Sequence, residues 1–404
     1  MGSVFAWLDQ SEEQRRKVLD VVDLFREQGT VDELGFGTIR DALADILFPG
    51  TSNLMTRASY FLFVPWMYVR LERQKTPSSE MATKGKREEL KLIERLLEGG
   101  EALGVIGRRA RGSLRRLPSS AYWAGMKRLN ICQFDGSPDS YHRSVDRFYQ
   151  RQSTTVKTDD GERVGGGRQN WNPRLPSPPL DWPSTARLAL RHEDAEFLRD
   201  QMAMEAPESL FAVLVRASDT SSDIEFPWAH PRLSEFSETI RWQLRHAQNT
   251  SETTHGAALL YNLILSELTS SQERIDEYRE KLTEWSRIVV SRMSQLRAWD
   301  RSDAWKCLES EGARIPKPTR EFVDRWCELV MEIGPDAVTE SEPARLLVKN
   351  RERRLKGPLA RVDNVRAREL WQGASSSNRL QFRWSNAAVI IDDIVSTLHG
   401  EPNA

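Results

Sequence analysis

The chain has 404 residues, of which 39% are apolar and 29% charged, with 58 basic side chains against 59 acidic ones and a formal net charge of −1. That length exceeds what one hydrophobic core usually organises, so two or three domains are expected, and the composition is too apolar for a disordered chain. The balanced total excludes a protein that is basic throughout, and any attraction to polyanions must come from local clusters.

In chain order, Ser11 and Gln14 form a capping-box pattern ahead of Val18, Leu19, Val22 and Phe25, which predicts a helix ending near Gly29. Thr38 is placed to cap a second helix, "IRDALADILF", whose stripe is Ile39, Leu43, Ile46 and Leu47 and which Pro49-Gly50 stops. "TSNLMTRASYFLFVPWMYVRLER" continues as a buried helix that Pro65 bends or breaks. Its most apolar run, Tyr60 to Val69, is ten residues long, half of the roughly 20 needed to cross a bilayer, so it reads as core. The small polar stretch from Thr76 to Lys86 predicts a surface loop, after which "REELKLIERLLEGG" is helical with Leu90, Ile93 and Leu97 on one face. "SSAYWAGMKRLNI" predicts a short helix starting near Pro118.

Residues 154–184 carry five prolines, four glycines and little apolar periodicity, the composition of a linker. The expected organisation is an N-terminal helical domain over 1–153, this linker, and a C-terminal helical domain over 185–404. Helical spacing recurs in "ARLALRHEDAEFLRDQMAM", "APESLFAVLVRAS", "RLSEFSETIRWQLRHAQNT", "HGAALLYNLILSEL" and "ERIDEYREKLTEWSRIVVSRMSQL". Strands are conceivable only as short pieces, around "FRWSNAAVIIDDI" or the linker flanks. The fold class is therefore mainly α, two-lobed, with at most short β elements.

Charge is distributed unevenly. Up to Phe48 there are ten acids against five bases, whereas Ala102 to Phe134 holds seven bases and no acid, and Lys349 to Arg383 ten bases against three acids. The stretch "GRRARGSLRRLPSSAYW" supplies Arg108, Arg109, Arg111, Arg115 and Arg116 ahead of a helix start, with Lys127 and Arg128 following. Guanidinium forks and a helix N-terminus are both suited to phosphate, and Tyr122 or Trp123 could stack on a base. The competing readings are a solvated loop for the arginines and core positions for the two aromatics. In the second stretch Arg351, Arg353, Arg354 and Lys356 would surround a helix axis rather than line one face, which suits a phosphate or acidic-partner surface better than a recognition helix.

Catalytic constellations are poor. The six histidines are scattered, and there is no HExxH, no paired-cysteine zinc motif and no GxSxG. "GGGR" at 165–168 lacks the Lys-Ser/Thr of a phosphate-binding loop. Asp392-Asp393 would need a third ligand to hold a cation. His255 reads as a capping or hydrogen-bonding residue, and Trp228 in "DIEFPWAHP" as an inward-packed anchor. Three cysteines without paired spacing fit a reducing cytoplasm, and the charged amphipathic N-terminus is not expected to be a signal peptide. No catalytic residue, metal or cofactor is expected.

The phrases "WLD" at 7–9, "LGFGTIRDALADILFPGTS" at 34–52, "RASYFLFVPW" at 57–66, "GVIGRR" followed by "LPSSAYWAGM", "HGAALLYNL" at 255–263, "RLKGPLARV" and "FRW" together resemble the bacterial domain-of-unknown-function 6361 family over most of the chain. The resemblance implies a cytoplasmic prokaryotic protein encoded near helicase and nuclease genes in anti-phage defence islands, and it carries over no catalytic residue. The expected function is an accessory subunit of such a complex, touching nucleic acid, DNA first, with low specificity, docking to a helicase or nuclease partner and using no membrane. The alternatives are a scaffold that binds no nucleic acid and, less favoured, a metal-dependent nuclease.

Overall fold

The computed structural model describes residues 32–110, 114–153, 169–217 and 223–400; the expected helix ending near Gly29 lies outside them. Among the described residues the elements are helical throughout: α1 (Gly37–Leu47), α2 (Tyr60–Arg73), α3 (Ser78–Glu98), α4 (Pro118–Arg128), α5 (Pro138–Ser153), α6 (His192–Glu205), α7 (Leu210–Arg216), α8 (Glu238–Leu268), α9 (Gln272–Ser291), α10 (Met293–Arg297), α11 (Arg301–Glu309), α12 (Lys317–Ile333), α13 (Glu342–Lys356), α14 (Val365–Glu369) and α15 (Trp384–His399). The one β-type pairing among them is an isolated bridge between Cys132 and Trp171. The protein is mainly α.

Local chemistry sets many of the helix ends. Asp32, not Thr38, starts α1: its two carboxylate oxygens accept the Phe36 and Gly37 N–H groups at 2.7 and 2.6 Å. Ser209, Asp300, Ser341 and Asn364 cap α7, α11, α13 and α14 in the same way. Pro118 opens α4, where its missing N–H costs no intrahelical bond. Gly357, at φ 53°, ends α13 in a conformation open to glycine.

Three expectations need correction. The stretch Thr76 to Lys86 is not a loop: α3 begins at Ser78 and runs through it, because Met81 and Gly85 continue the buried stripe of Glu89, Leu92, Ile93 and Leu96. Gly85 lies against Tyr68, where a Cβ would stand 3.3 Å from the hydroxyl, a tight contact. The helix expected from Thr51 begins only at Tyr60, and Pro65 does not break it: α2 continues to Arg73 with ten of its fourteen residues buried. "RLSEFSETIRWQLRHAQNT" and "HGAALLYNLILSEL" join into the single helix α8, of 31 residues, and Gly256 lies inside it because the Trp285 ring occupies the space its side chain would fill.

The chain forms two compact units, residues 32–42 with 245–380 and residues 43–244 with 381–400, the boundaries falling inside α1 and α8 and after Leu380. In the second unit α3 packs on α2 and α5, α2 on α4, and α15 on α6 and α7. Both flanks of the Pro/Gly-rich segment fall in this unit. Its described end, from residue 169, is fastened there: Trp171 stacks on Tyr68 at 5.9 Å, Asn170 donates to the Glu72 carboxylate at 2.9 Å, and the Gln133 and Asn172 N–H groups bond across to Asn170 and Ile131. In the first unit the buried side of α8 carries polar groups that are met internally. Glu252 pairs with Arg292 and Arg379, and Tyr261 donates to Glu352 at 2.7 Å.

Candidate nucleic-acid interface

The arginine loop of the second unit is built on apolar and glycine anchors. Gly104 and Gly107 adopt φ of 86° and 84°, turning the chain on either side of buried Val105. The Ile106 N–H donates to the Tyr60 hydroxyl at 3.0 Å and the Gly104 carbonyl accepts from Thr56 Oγ1 at 2.6 Å. A Cβ on Gly107 would stand 2.7 Å from Leu114 Cδ2, so the two ends of the loop close on each other. With the backbone held in this way, Arg108, Arg109 and Arg115 are exposed and Arg116 is half-buried, while Arg111 lies outside the described residues. Arg108 Nη1 donates to the Ala102 carbonyl at 3.2 Å. Among the described residues no carboxylate lies within ion-pair distance of Arg108, Arg109 or Arg116.

The helix start beside this loop is already occupied. Glu89, 1% exposed, accepts the backbone N–H of Ser119 at 2.7 Å and its hydroxyl at 2.7 Å. Burial pushes its carboxyl up to about 7. The oriented amides of α4 therefore serve an internal carboxylate, and any external anion at this surface meets arginine side chains. Tyr122 and Trp123 are core residues. The Tyr122 hydroxyl accepts from the Thr56 N–H at 2.8 Å and donates to the Arg57 carbonyl at 2.8 Å, and Trp123 Nε1 donates to the Gly136 carbonyl at 2.8 Å. At the end of α4, Lys127 stands 3.4 Å from Asp135, and Arg128 donates to the Glu205 carbonyl at 2.8 Å.

The second basic stretch, in the first unit, is met largely from within. Arg351 is 4% exposed; its Nε donates to the Leu34 carbonyl at 2.8 Å, Nη1 to the Pro318 carbonyl at 3.0 Å and Nη2 to Thr319 Oγ1 at 2.8 Å. Its guanidinium also lies 5.3 Å from the centre of the Phe322 ring. Burial lowers its pKa from the ordinary arginine value. Arg353 forks onto Asp363 at 2.7 and 2.8 Å, Lys356 lies 3.4 Å from Glu33, and Arg354 is 3.9 Å from Glu321. These four cations do not form one surface, because α13 distributes them around its axis.

A basic stripe on α5 escaped the sequence reading. Arg143, Arg147 and Arg151 are all exposed and spaced by four, about 6 Å apart along the helix, opposite buried Tyr141 and Val145. Among the described residues none of the three has a carboxylate at ion-pair distance; Arg143 Nε donates to the Asp139 carbonyl at 3.2 Å. The signal was the spacing in "YHRSVDRFYQRQ", diluted by interleaved Asp146, His142 and Gln150.

Other chemistry is held in structural contacts. Asp393 accepts from Arg57 Nε at 2.9 Å and from the Ala58 N–H at 2.8 Å, and His255 Nε2 meets the Ser377 carbonyl at 2.9 Å with its pKa lowered to about 4 by burial. Cys132, Cys307 and Cys327 are buried, and desolvation raises their thiols to about 11, 12 and 12, which keeps them un-ionised near neutrality. Among the described residues no three His, Cys, Asp or Glu side chains converge to hold a metal ion, and no helix is long and apolar enough to cross a membrane.

No curated protein and no solved structure matches the chain. A family model does, over residues 2–397, and the chain belongs to that family of unknown function, DUF6361.

Proposed function

We propose that the protein is a nucleic-acid-binding accessory subunit that holds the phosphate backbone through the second unit. The observation that carries this reading is the pair of arginine groups there, exposed Arg108 and Arg109 with half-buried Arg116 on the loop and exposed Arg143, Arg147 and Arg151 on α5, with no internal carboxylate partner among the described residues. Some other arginines, the exposed Arg325 and Arg353 and the half-buried Arg191, Arg199 and Arg232, sit against carboxylates. Arginines left without such partners are suited to backbone contacts, which position a protein without reading sequence. The setting is the bacterial cytoplasm, in an anti-phage complex with a helicase or nuclease.

The test is fluorescence anisotropy of a labelled DNA duplex across a salt series. Binding on the order of 10⁻⁴ to 10⁻⁶ M at physiological salt is expected, with log affinity falling linearly with log salt. Arg108→Glu with Arg109→Glu should weaken binding and flatten that slope. No binding at low salt sinks the reading and favours a scaffold. The observation in favour of that second role is a set of exposed apolar side chains in the first unit, Leu346, Leu355, Leu359, Val365 and Leu370, suited to a protein partner.

A further inference from the structure

The arginine loop is entered through a turn whose tip is apolar. Leu103 is 81% exposed, although the backbone on both sides of it is fastened to the second unit. Before it, the Glu101 N–H donates to the Leu96 carbonyl at 3.0 Å, and the Glu101 carboxylate accepts the Leu188 N–H at 2.9 Å. After it, the Gly104 carbonyl accepts from Thr56 Oγ1 at 2.6 Å, and Val105 is buried. Gly104 lies against the stem of Arg57 with φ at 86°, a backbone conformation that turns the chain sharply behind the leucine. A leucine anchored on both sides in this way is held out of the core.

Guanidinium groups surround this tip. Arg108 Nη1 donates to the Ala102 carbonyl at 3.2 Å, which places its guanidinium beside the peptide that leads into Leu103, and exposed Arg109 follows it. A third arginine comes from a distant segment. Arg187 is exposed and lies over Gly99, in the space that a Cβ would take there. Its Nη1 donates to the Ala186 carbonyl at 3.1 Å, and no carboxylate lies at ion-pair distance from it among the described residues. The acid nearest the tip in the chain, Glu101, is engaged with the Leu188 N–H.

We propose that Leu103 is a wedge that enters the minor groove of duplex DNA and unstacks a base step, while Arg108, Arg109 and Arg187 meet the phosphates beside it. The wedge rests on the phosphate role proposed above for the loop arginines and adds to it a groove and a bend. An apolar side chain slid between two base pairs is buried on both faces, and the kink it makes brings more phosphate to the surrounding cations. One side chain on a tight turn suits a minor groove about 6 Å wide, whereas the major groove, about 12 Å wide, admits a whole helix. Two other occupants fit less well. Burying one leucine yields only about 1.5–3 kcal/mol, too little to anchor a protein on a membrane. A protein interface of about 800 Å² per partner has a centre depleted of charge, and here three arginines crowd the apolar tip.

The experiment uses a duplex with a donor and an acceptor dye at its two ends and 2-aminopurine at a central TA step, the kind of step most easily unstacked. It is titrated with the full chain at low salt. Binding should raise energy transfer, as a kink of about 20–90° shortens the end-to-end distance, and should raise 2-aminopurine fluorescence as the step opens. Leu103→Ala should abolish both signals and weaken binding about threefold to tenfold, while leaving the salt slope unchanged because no charge is lost. Its melting temperature should equal that of wild type, since the side chain is exposed. Leu103→Met keeps an apolar wedge and should keep both signals. Arg187→Ala should flatten the slope by about 0.9, the loss of one phosphate contact. Duplex binding that leaves the DNA straight and stacked, or a Leu103→Ala protein that bends it as wild type does, overturns the wedge and leaves the phosphate role standing. An Arg187→Ala slope equal to that of wild type overturns the part given to Arg187. No duplex binding at low salt overturns wedge and phosphate role together. Sedimentation with phosphatidylserine vesicles that depends on Leu103, in a protein that does not bend DNA, assigns the leucine to a membrane and overturns the proposal.

Discussion

Glu89 and Ser119 form a closed pair inside the second unit: one buried carboxylate takes both the N–H and the O–H of one residue, each at 2.7 Å. A carboxylate held in this way still suffers from desolvation, which raises its pKa from 4.5 to about 7 despite both hydrogen bonds. The folded state therefore binds this proton more tightly than the unfolded chain does. Below the unfolded value both states are protonated and nothing changes. As pH rises from about 4.5 to about 7 the unfolded chain ionises first, so this group's contribution to stability falls across that window and levels off above it. In Glu89→Gln the amide can still accept from Ser119 N–H but cannot ionise. Urea denaturation of both proteins between about pH 5 and 8 should show wild type losing roughly 1–3 kcal/mol relative to the variant. Parallel curves would place the carboxyl near its ordinary value.

Arg351 separates a structural arginine from a binding one. Its guanidinium joins Leu34, Pro318 and Thr319, so Arg351→Ala removes three hydrogen bonds, two of them buried, and should cost roughly 2–4 kcal/mol in urea denaturation. Arg351→Lys should rescue little, because one ammonium cannot span three acceptors arranged for a planar fork. Neither change should alter the salt slope of duplex binding. A slope that drops in a variant of unchanged stability would mean that the side chain reaches solvent and touches phosphate.

The contrast between Arg351 and Arg109 also shows what could be read from the sequence. Composition located both basic stretches, because charge counts need no coordinates. Fate within a stretch could not be read, since whether an arginine is buried depends on acceptors far along the chain, such as Leu34 for Arg351. Helix existence was legible where apolar residues repeat strongly, as in α2, α4 and α8, and was lost over Ser78 to Lys86, where small polar residues look like a loop and the stripe is carried by Met81 and Gly85. Glycine is disfavoured inside a helix, yet Gly85 and Gly256 are each the contact point of an aromatic ring from another element. The packing of Trp182 on Trp66 had no local signature at all, because the two rings lie more than a hundred residues apart in the chain.

The α5 stripe gives a prediction with two independent readouts. Replacing Arg143, Arg147 and Arg151 together by alanine keeps helix propensity and removes no ion pair among the described residues. Stability should therefore move by no more than about 0.5 kcal/mol per position. Duplex affinity should fall, and the log–log salt slope should flatten by about 0.9 for each phosphate that the variant no longer neutralises. An unchanged slope would make the stripe a solvated face and confine binding to the loop.

Gly256 provides the sharpest packing test, since it stands in the middle of α8 with the Trp285 ring against it: a Cβ there would lie 2.2 Å from Cζ2. The ring has little room to retreat, because Trp285 is fully buried and its Nε1 donates to the Glu252 carbonyl at 2.7 Å. Gly256→Ala gains helix propensity of about 1 kcal/mol, which in an exposed helix would stabilise. Here overpacking opposes it, at a cost of about 1–3 kcal/mol or more for a single inserted carbon in a tight core. The net expectation is destabilisation, read as a lower melting temperature. Shrinking the opposing ring in Gly256→Ala/Trp285→Phe should recover part of the loss, so that the two changes are less than additive. A melting temperature raised by the single Gly256→Ala change would show that the ring can move aside and that propensity, not contact, decides this position.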